Sequence, residues 1–198
     1  MDKKKRTINT YDSAAVGFAE KFQRIGSRAS DIKRAITVVN KPNPKVLEIG
    51  CGDGRDAKEI YKWTDDYLGI DLSESMLRLA SQNLPGARFA LADMENFPFP
   101  GGLDIIFAFA SLLHVPLHKF QEILARGYDA LNSGGVFVIS VKHGRYKEDD
   151  VKDEFGVRTF YYYTPSLLRD LADPRFTVVH EELPQKGEQT WLEMILQK

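Results

Sequence analysis

Residues 46–54 read Val-Leu-Glu-Ile-Gly-Cys-Gly-Asp-Gly, a short apolar run followed by three glycines at alternate positions. Glycine lacks a Cβ, so the backbone can turn tightly there and approach a bound molecule closely. The residues that follow predict a helix, and the N–H groups at a helix N-terminus face an anion. Asp71 ends the next apolar run, 21 residues beyond Gly50, where a carboxylate can accept both hydroxyls of a ribose. This pairing predicts a nucleoside-binding site.

Outward from this loop, short apolar runs alternate with helix-length segments. Strands are predicted at residues 45–49, 67–71, 88–92, 104–110 and 136–141. Runs this apolar, with no polar alternation, are typical of strands covered on both faces in a parallel sheet. Two further strands, 176–181 and 191–197, are joined by a short connection that favours antiparallel pairing. The order predicts an α/β fold with a Rossmann-like doubly wound seven-stranded sheet, mostly parallel with an antiparallel last strand, and helices on both faces.

The glycine loop distinguishes two adenosine cofactors. A dinucleotide fingerprint needs glycine at position 55, where this chain has Arg55. Glu48, before the loop, suits an ammonium group better than a pyrophosphate. The loop resembles that of the class I S-adenosylmethionine-dependent methyltransferases, whose signature reads acidic-x-Gly-x-Gly-x-Gly. Further motifs similar to those of this family follow in the same order at 69–77, 90–95, 103–115 and 131–140, with Ser133 where the family usually has proline.

This resemblance implies S-adenosylmethionine as the cofactor and S-adenosylhomocysteine as its product. Asp71 would then hold the ribose, Leu72 and Met76 would lie against the adenine, and Asp93 would accept the adenine amino group. In small-molecule members of the family, a tyrosine at the place of Tyr11 often closes over the methionine end of the cofactor. The predicted cofactor-binding residues are Tyr11, Glu48, Gly50, Cys51, Gly52, Asp71, Leu72, Met76, Asp93, Met94 and Ala110.

The resemblance also implies in-line methyl transfer to an acceptor held beyond the strand ends. His114 is the predicted catalytic residue, because imidazole titrates near neutral pH, and a histidine that anchors its loop is an equal alternative. No metal site is predicted, since Pro116 separates His114 from His118 and the acidic run 148–154 lacks the glycine of a calcium loop. The predicted substrate-binding residues are Ser111, Lys142, Arg158 and Tyr161.

Missing motifs narrow the class of acceptor. Residues 110–113 read Ala-Ser-Leu-Leu, not the Asn/Asp-Pro-Pro-aromatic motif of enzymes that methylate amino groups of nucleic acids, and the only cysteine lies in the glycine loop. With 27 Lys and Arg against 28 Asp and Glu, the chain has no global basic field that would attract nucleic acid. A small-molecule acceptor is therefore predicted. An NAD-dependent oxidoreductase and a non-catalytic cofactor-binding subunit remain open as alternatives.

The 198 residues suit a single domain. It divides into an N-terminal helical cap (1–45), a cofactor-binding core (46–142), a lid and substrate segment (143–175) and C-terminal antiparallel strands (176–198). Residues 3–6, Lys-Lys-Lys-Arg, predict a solvated, disordered tail. The longest apolar run, 105–110, has six residues, whereas a membrane span needs roughly 20. Without a membrane span or the apolar segment of a signal peptide, the chain is expected in the cytoplasm.

Overall fold

The computed structural model describes residues 2–198, which form three N-terminal helices followed by a mixture of strands and helices. The helices are α1 (Lys3–Ser13), α2 (Ala15–Ile25), α3 (Ala29–Val39), α4 (Arg55–Ile60), α5 (Glu74–Asn83), α6 (Leu117–Ala130) and α7 (Pro165–Leu171). The strands are β1 (Val46–Ile49), β2 (Tyr67–Asp71), β3 (Arg88–Leu91), β4 (Leu103–Phe109), β5 (Leu131–Lys142), β6 (Glu148–Asp153), β7 (Gly156–Tyr161), β8 (Thr177–Glu182), β9 (Gln185–Lys186) and β10 (Gln189–Gln197). One 3-10 turn, Leu112–His114, lies between β4 and α6.

One large sheet organises the molecule, with strand order β3-β2-β1-β4-β5-β10-β8 and the short β9 paired to β10. The strands from β3 to β5 are parallel, and β10 is antiparallel to both β5 and β8. The strand order reverses between β1 and β4. In open α/β sheets a ligand binds in the crevice outside the carboxyl ends of the strands at such a switch point. The topology therefore places a candidate site at the ends of β1 and β4.

Alternate side chains of the central strands point into two apolar layers, one on each face of the sheet. In β4, Ile106 and Ala108 pack with Phe120 of α6 on one face, while Ile105 and Phe107 pack with residues of α3 and α4 on the other. Every residue of β4 is buried. A central strand covered by helices on both faces carries apolar side chains in both directions, which explains why its sequence shows no alternation.

The predicted fold class is confirmed, and two features go beyond the prediction. The short β9 adds an eighth strand to the sheet, beside the seven of the main path. The charged segment after β5 forms an antiparallel hairpin, β6 and β7, which is a separate sheet. No helix within residues 2–198 has the length and apolar character required to cross a membrane.

The prediction of a disordered basic tail at residues 3–6 is wrong. These residues begin α1, with Asp2 as N-cap, and their side chains meet acidic partners far along the chain. Lys3 pairs with Glu148, and Arg6 lies 2.5 Å from Asp150. Opposite charges on the β6–β7 hairpin thus give the basic run the partners that its local sequence lacks. Below, α1 together with the β6–β7 hairpin is called the lid.

Candidate functional site

The loop after β1 turns through left-handed backbone at Gly50 (φ 75°) and Gly52 (φ 54°), a region that favours glycine. A Cβ on Gly50 would overlap the Cβ of Ser111. The ends of β1 and β4 therefore approach this closely only because position 50 is glycine. A Cβ on Gly52 would meet no atom within 4 Å, so the loop leaves an open cradle above the end of β1.

Asp71, at the end of β2, is fixed against this cradle by two backbone donors. Its carboxylate accepts hydrogen bonds from the N–H groups of Gly52 and Ser73, both at 2.9 Å. Burial raises the pKa of Asp71, and these donors oppose the rise. Ser73 is also the N-cap of α5, because its hydroxyl accepts from the N–H of Met76 at 3.1 Å. The cap sets the direction of α5 and therefore the position of the buried Met76 side chain.

Glu48, on β1, is a buried carboxylate with one strong partner. The hydroxyl of Tyr67 donates a hydrogen bond to it at 2.5 Å. Burial, together with the negative charge of Asp56, raises the pKa of Glu48 to about 8. A carboxyl group with such a pKa gains from a cationic partner, because a nearby positive charge favours its ionised form.

The glycine loop, Asp71 and Glu48 all open on one cavity of about 740 Å³ between the strand ends and the lid. This volume lies within the roughly 300–1,000 Å³ typical of small-molecule sites. Every predicted cofactor-binding residue borders it: Tyr11, Glu48, Gly50, Cys51, Gly52, Asp71, Leu72, Met76, Asp93, Met94 and Ala110. So do the catalytic candidate and three of the four predicted substrate-binding residues, namely His114, Ser111, Lys142 and Arg158.

Several buried polar atoms around this cavity have no hydrogen-bond partner within the described chain. They include the Oγ of Ser111 and the Nε atoms of Arg28 and Arg158. Native proteins seldom leave buried polar atoms unpaired. Their position around one cavity indicates a surface made to contact a polar ligand.

His114 lies in a hydrogen-bond chain that joins the core to the lid. Its Nδ1 is 2.7 Å from the carbonyl oxygen of Thr159, and its Nε2 is 3.0 Å from the hydroxyl of Tyr11. A carbonyl only accepts, so Nδ1–H donates to Thr159 and Nε2 accepts from the Tyr11 hydroxyl. Arg158 in turn donates to the same hydroxyl at 3.1 Å. Burial, opposed by the hydrogen bond to Thr159, lowers the pKa of His114 to about 4.

These contacts favour the anchoring role for His114 over the catalytic one. Both ring nitrogens are occupied, and a pKa of about 4 makes the imidazole a weak base. His118 is an exposed residue of α6, outside the turn that holds His114.

Tyr161 is the one predicted substrate-binding residue that does not line the cavity. It belongs to β7, where successive side chains point to opposite faces. Arg158 and Phe160 therefore face the cavity, whereas the Tyr161 hydroxyl donates to Glu148 at 2.8 Å. The alternation of a strand at this segment, which was not predicted from the sequence, turns Tyr161 away from the cavity.

Asp93, predicted to bind the adenine amino group, is already engaged by the lid. Its carboxylate lies 2.6 Å from the Nζ of Lys4, which also lies 2.6 Å from Glu95. One oxygen of Asp93 further accepts from the backbone N–H of Glu95 at 3.0 Å. The carboxylate thus stands at the rim of the cavity, where it ties α1 to the loop after β3.

Sequence reasoning missed an aromatic and cationic wall of the cavity. The guanidinium of Arg28 lies 5.1 Å from the ring centre of Phe109 and 5.6 Å from that of Trp191. Asp56 is its nearest carboxylate, at 3.6 Å. Arg28, Phe109 and Trp191 come from three distant parts of the chain, so no local sequence pattern predicts that they lie together.

Comparisons with known proteins agree with this architecture. Residues 46–135 match the family model described as a methyltransferase domain. Trans-aconitate 2-methyltransferase of Variovorax paradoxus is 36% identical over 104 residues, which cover 51% of this chain and 39% of that protein. The chain thus spans about two fifths of the length of this curated relative.

Solved structures extend the likeness to nearly the whole chain. The DhpI–SAH complex has a TM-score of 0.73 at 18% identity and covers 98% of this chain and 96% of that one. The Burkholderia thailandensis 1,6-didemethyltoxoflavin-N1-methyltransferase, with bound 1,6-didemethyltoxoflavin and S-adenosylhomocysteine, has a TM-score of 0.72 at 19% identity and covers 96% of this chain and 87% of that one. Residues 46–135 therefore match a methyltransferase domain, and the chain as a whole shares the fold of these two structures.

Proposed function

We propose that the protein transfers a methyl group from S-adenosylmethionine to a small-molecule acceptor in the cytoplasm. The observation that carries the proposal is the cavity of about 740 Å³ at the β1–β4 switch point, bordered by the glycine loop, Asp71 and the lid. Two similar proteins support a small-molecule acceptor: one is named for trans-aconitate, and another for 1,6-didemethyltoxoflavin, which is bound in its structure. Both compounds are small molecules, and a nucleic-acid acceptor is not proposed.

The residues around the cavity fit this cofactor. The open cradle at Gly52 admits a group close to the backbone, and the fixed carboxylate of Asp71 is placed to accept ribose hydroxyls. Leu72 and Met76 offer apolar surface to a base. Glu48 gains a cationic partner if the ammonium group of the methionine moiety lies beside it, which suits its raised pKa.

Bound S-adenosylmethionine supplies a methyl group on a positively charged sulfur, and transfer leaves the electron pair of the broken C–S bond on that sulfur. The contribution of the chain is therefore to hold the acceptor in line and to exclude water. Tyr11, His114 and Arg158 perform the second task, since their hydrogen bonds join α1 and β7 to the turn after β4. In this proposal His114 is a positioning residue.

The four predicted segments acquire distinct roles in the same proposal. Residues 46–142 and 176–198 build the sheet that presents the strand ends. Residues 1–45 and 143–175 contribute the lid and, with it, Arg158 and Phe160, which face the cavity from β7. We propose that the lid segments select the acceptor together with Ser111 and Lys142, the core residues at the cavity that are assigned to the substrate and not to the cofactor.

Isothermal titration with S-adenosylhomocysteine tests the first step. The proposal requires binding by the wild-type chain, with affinity reduced about 10- to 100-fold in Asp71→Ala, as expected when hydrogen bonds to a charged group are lost. Asp170→Ala is the matched control, because Asp170 is an exposed residue of α7 away from the cavity. No binding by the wild type, or equal affinity in Asp71→Ala, would refute the proposal. Binding of NAD in place of S-adenosylhomocysteine would favour the oxidoreductase.

A non-catalytic cofactor-binding subunit is the second candidate. The contacts of His114 support it, because both ring nitrogens of the predicted catalytic residue are already engaged by Tyr11 and Thr159. Formation of S-adenosylhomocysteine with any acceptor from a small-molecule panel distinguishes the two functions. Binding without transfer across the panel would favour the subunit.

A further inference from the structure

Charge is unevenly distributed along the cavity. The ends of the first strands carry carboxylates, with Glu48 on β1 and Asp71 on β2. The opposite end, formed by β5 and β7, carries Lys142 and Arg158. The first end suits a cofactor with a positive sulfur and an ammonium group. At the second end Arg158 is paired with Asp153, which leaves Lys142 as the cation presented to whatever lies beside that cofactor.

Lys142 differs from the other basic residues that line the cavity. Within residues 2–198, seven lysines and arginines border it, and every one except Lys142 has a carboxylate within 4.0 Å. The paired ones are Lys4, Lys21, Arg28, Arg55, Arg158 and Lys186. Lys142 therefore holds a positive charge that the described chain does not neutralise by contact.

The surroundings of Lys142 are largely aromatic. Its Nζ lies 3.8 Å from the ring centre of Phe160 and 5.5 Å from that of Tyr162. The guanidinium of Arg158 lies 5.1 Å from the same Phe160 ring, and the imidazole of His114 lies 4.8 Å from it. Burial, and then the positive charge of Arg158, lower the pKa of Lys142. An anion bound between these groups would reduce the repulsion between Lys142 and Arg158 and would give the Lys142 ammonium an oppositely charged partner.

We propose that the methyl acceptor carries a carboxylate or a similar anionic group, and that this group pairs with Nζ of Lys142 at the end of β5. The inference rests on the proposed function and adds the chemical class of the acceptor and the residue that selects it. Phe160 and Trp191, which also border the cavity, supply the apolar surface for the rest of the molecule. The anion is placed beside the turn that holds His114, away from the carboxylates of β1 and β2.

Matched pairs of acceptors test the proposal. The probes are 4-hydroxybenzoate and 4-hydroxycinnamate, each compared with its uncharged amide, so that in both members of a pair the phenol hydroxyl can accept the methyl group and release its proton to water. The readout is S-adenosylhomocysteine formed by the full chain. At least one acid should be methylated with kcat/KM well above that of its amide. Lys142→Met should lower kcat/KM for that acid by about 10- to 100-fold, the range for a hydrogen bond to a charged group. The value for the amide should hardly change, and Lys142→Arg should retain more activity towards the acid than Lys142→Met.

Lys147→Met is the matched control. Lys147 also lies against Tyr162, with Nζ 4.8 Å from the ring centre, but it is exposed and does not line the cavity. Equal loss in both variants, a preference for amides, or no transfer to any acid would each overturn the anionic acceptor. Titration with S-adenosylhomocysteine keeps this failure distinct from that of the proposed function, because cofactor binding should be intact in the wild type and in Lys142→Met.

Discussion

The His114 contacts predict how stability should respond to acid. The ring is held neutral with its pKa near 4, against 6.5 for an unperturbed imidazole. Between pH 4 and pH 6.5, the folded chain therefore binds fewer protons at His114 than the unfolded chain does. His114 contributes its full stabilisation above pH 6.5 and loses it as the pH falls towards 4. Between about pH 7.5 and about pH 5 the loss amounts to about 2 kcal/mol from these two pKa values.

Replacement by asparagine isolates this contribution, because other groups also titrate in the same range. Asp31, whose pKa burial raises to about 6, acts in the opposite direction but is present in both chains. Arg158 and Lys142 face the imidazole as positive charges, and Tyr11 and the Thr159 carbonyl are its hydrogen-bond partners. All of these groups remain in His114→Asn. The stability difference between wild type and variant should therefore shrink by about 2 kcal/mol on going from the higher to the lower pH.

Urea denaturation of the wild type, His114→Asn and His118→Asn at both pH values measures these differences. His118 is the control, since it is exposed on the next helix. Its replacement should leave the pH dependence unchanged. A gap between wild type and His114→Asn that is equal at both pH values would refute the reasoning. Should His114→Asn fail to fold, an NMR titration of the His114 ring in the wild type decides the same question, because a midpoint near 6.5 contradicts a buried neutral imidazole.

Three further predictions concern the lid and the glycine loop. Lys4→Gln removes the ion pair with Asp93 and should weaken S-adenosylhomocysteine binding by about 2- to 5-fold in a calorimetric titration, because a partly exposed ion pair contributes up to about 1 kcal/mol. Lys5 lies on the exposed side of α1, so Lys5→Gln should bind as the wild type does. Tyr11→Phe leaves Nε2 of the partly buried imidazole without its donor and should raise the same dissociation constant by about 5- to 100-fold; an unchanged constant would show that this contact does not hold the lid. Gly50→Ala should destabilise the fold by about 2–4 kcal/mol in urea, since it combines positive φ with overlap onto Ser111. A second change, Ser111→Gly, should restore part of that loss, and a double variant no more stable than the single one would contradict the overlap.

The core of the fold was predictable because its signals are local. The glycine loop, the Ser73 cap and the apolar runs each lie within about ten residues of sequence, and their order sets the sheet topology. The same locality brought the predicted cofactor residues together, since the carboxyl ends of adjacent parallel strands meet at one edge. Glu48, Asp71 and Ala110 follow this rule directly.

The lid was not predictable in the same way, because its contacts join positions far apart. Lys3 and Glu148 are 145 positions apart, and Thr7 accepts from the N–H of Thr159 across 152. A rule based on local charge density predicts a solvated tail for residues 3–6, and it would assign the acidic run 148–154 to solvent as well. Each prediction treats one half of a complementary pair as if water were its only partner. Two oppositely charged runs in one chain can thus be each other's partners across the fold, however far apart they lie in sequence.

The lid also explains why the acceptor is harder to infer than the cofactor. The contacts proposed for the cofactor come from strand ends whose positions follow from the topology, whereas Arg158 and Phe160 face the cavity only because β7 pairs with β6 in one register. Shifting a strand by one residue reverses which side chains face the cavity; a one-residue slip of β7 would bring Tyr161 inward and turn Phe160 away. In the proposed function, acceptor specificity therefore depends on the hairpin's register, which the Arg158–Asp153 pair at 2.5 Å and the Tyr161–Glu148 bond fix from both ends. Weakening either contact should alter acceptor selectivity before it alters cofactor affinity.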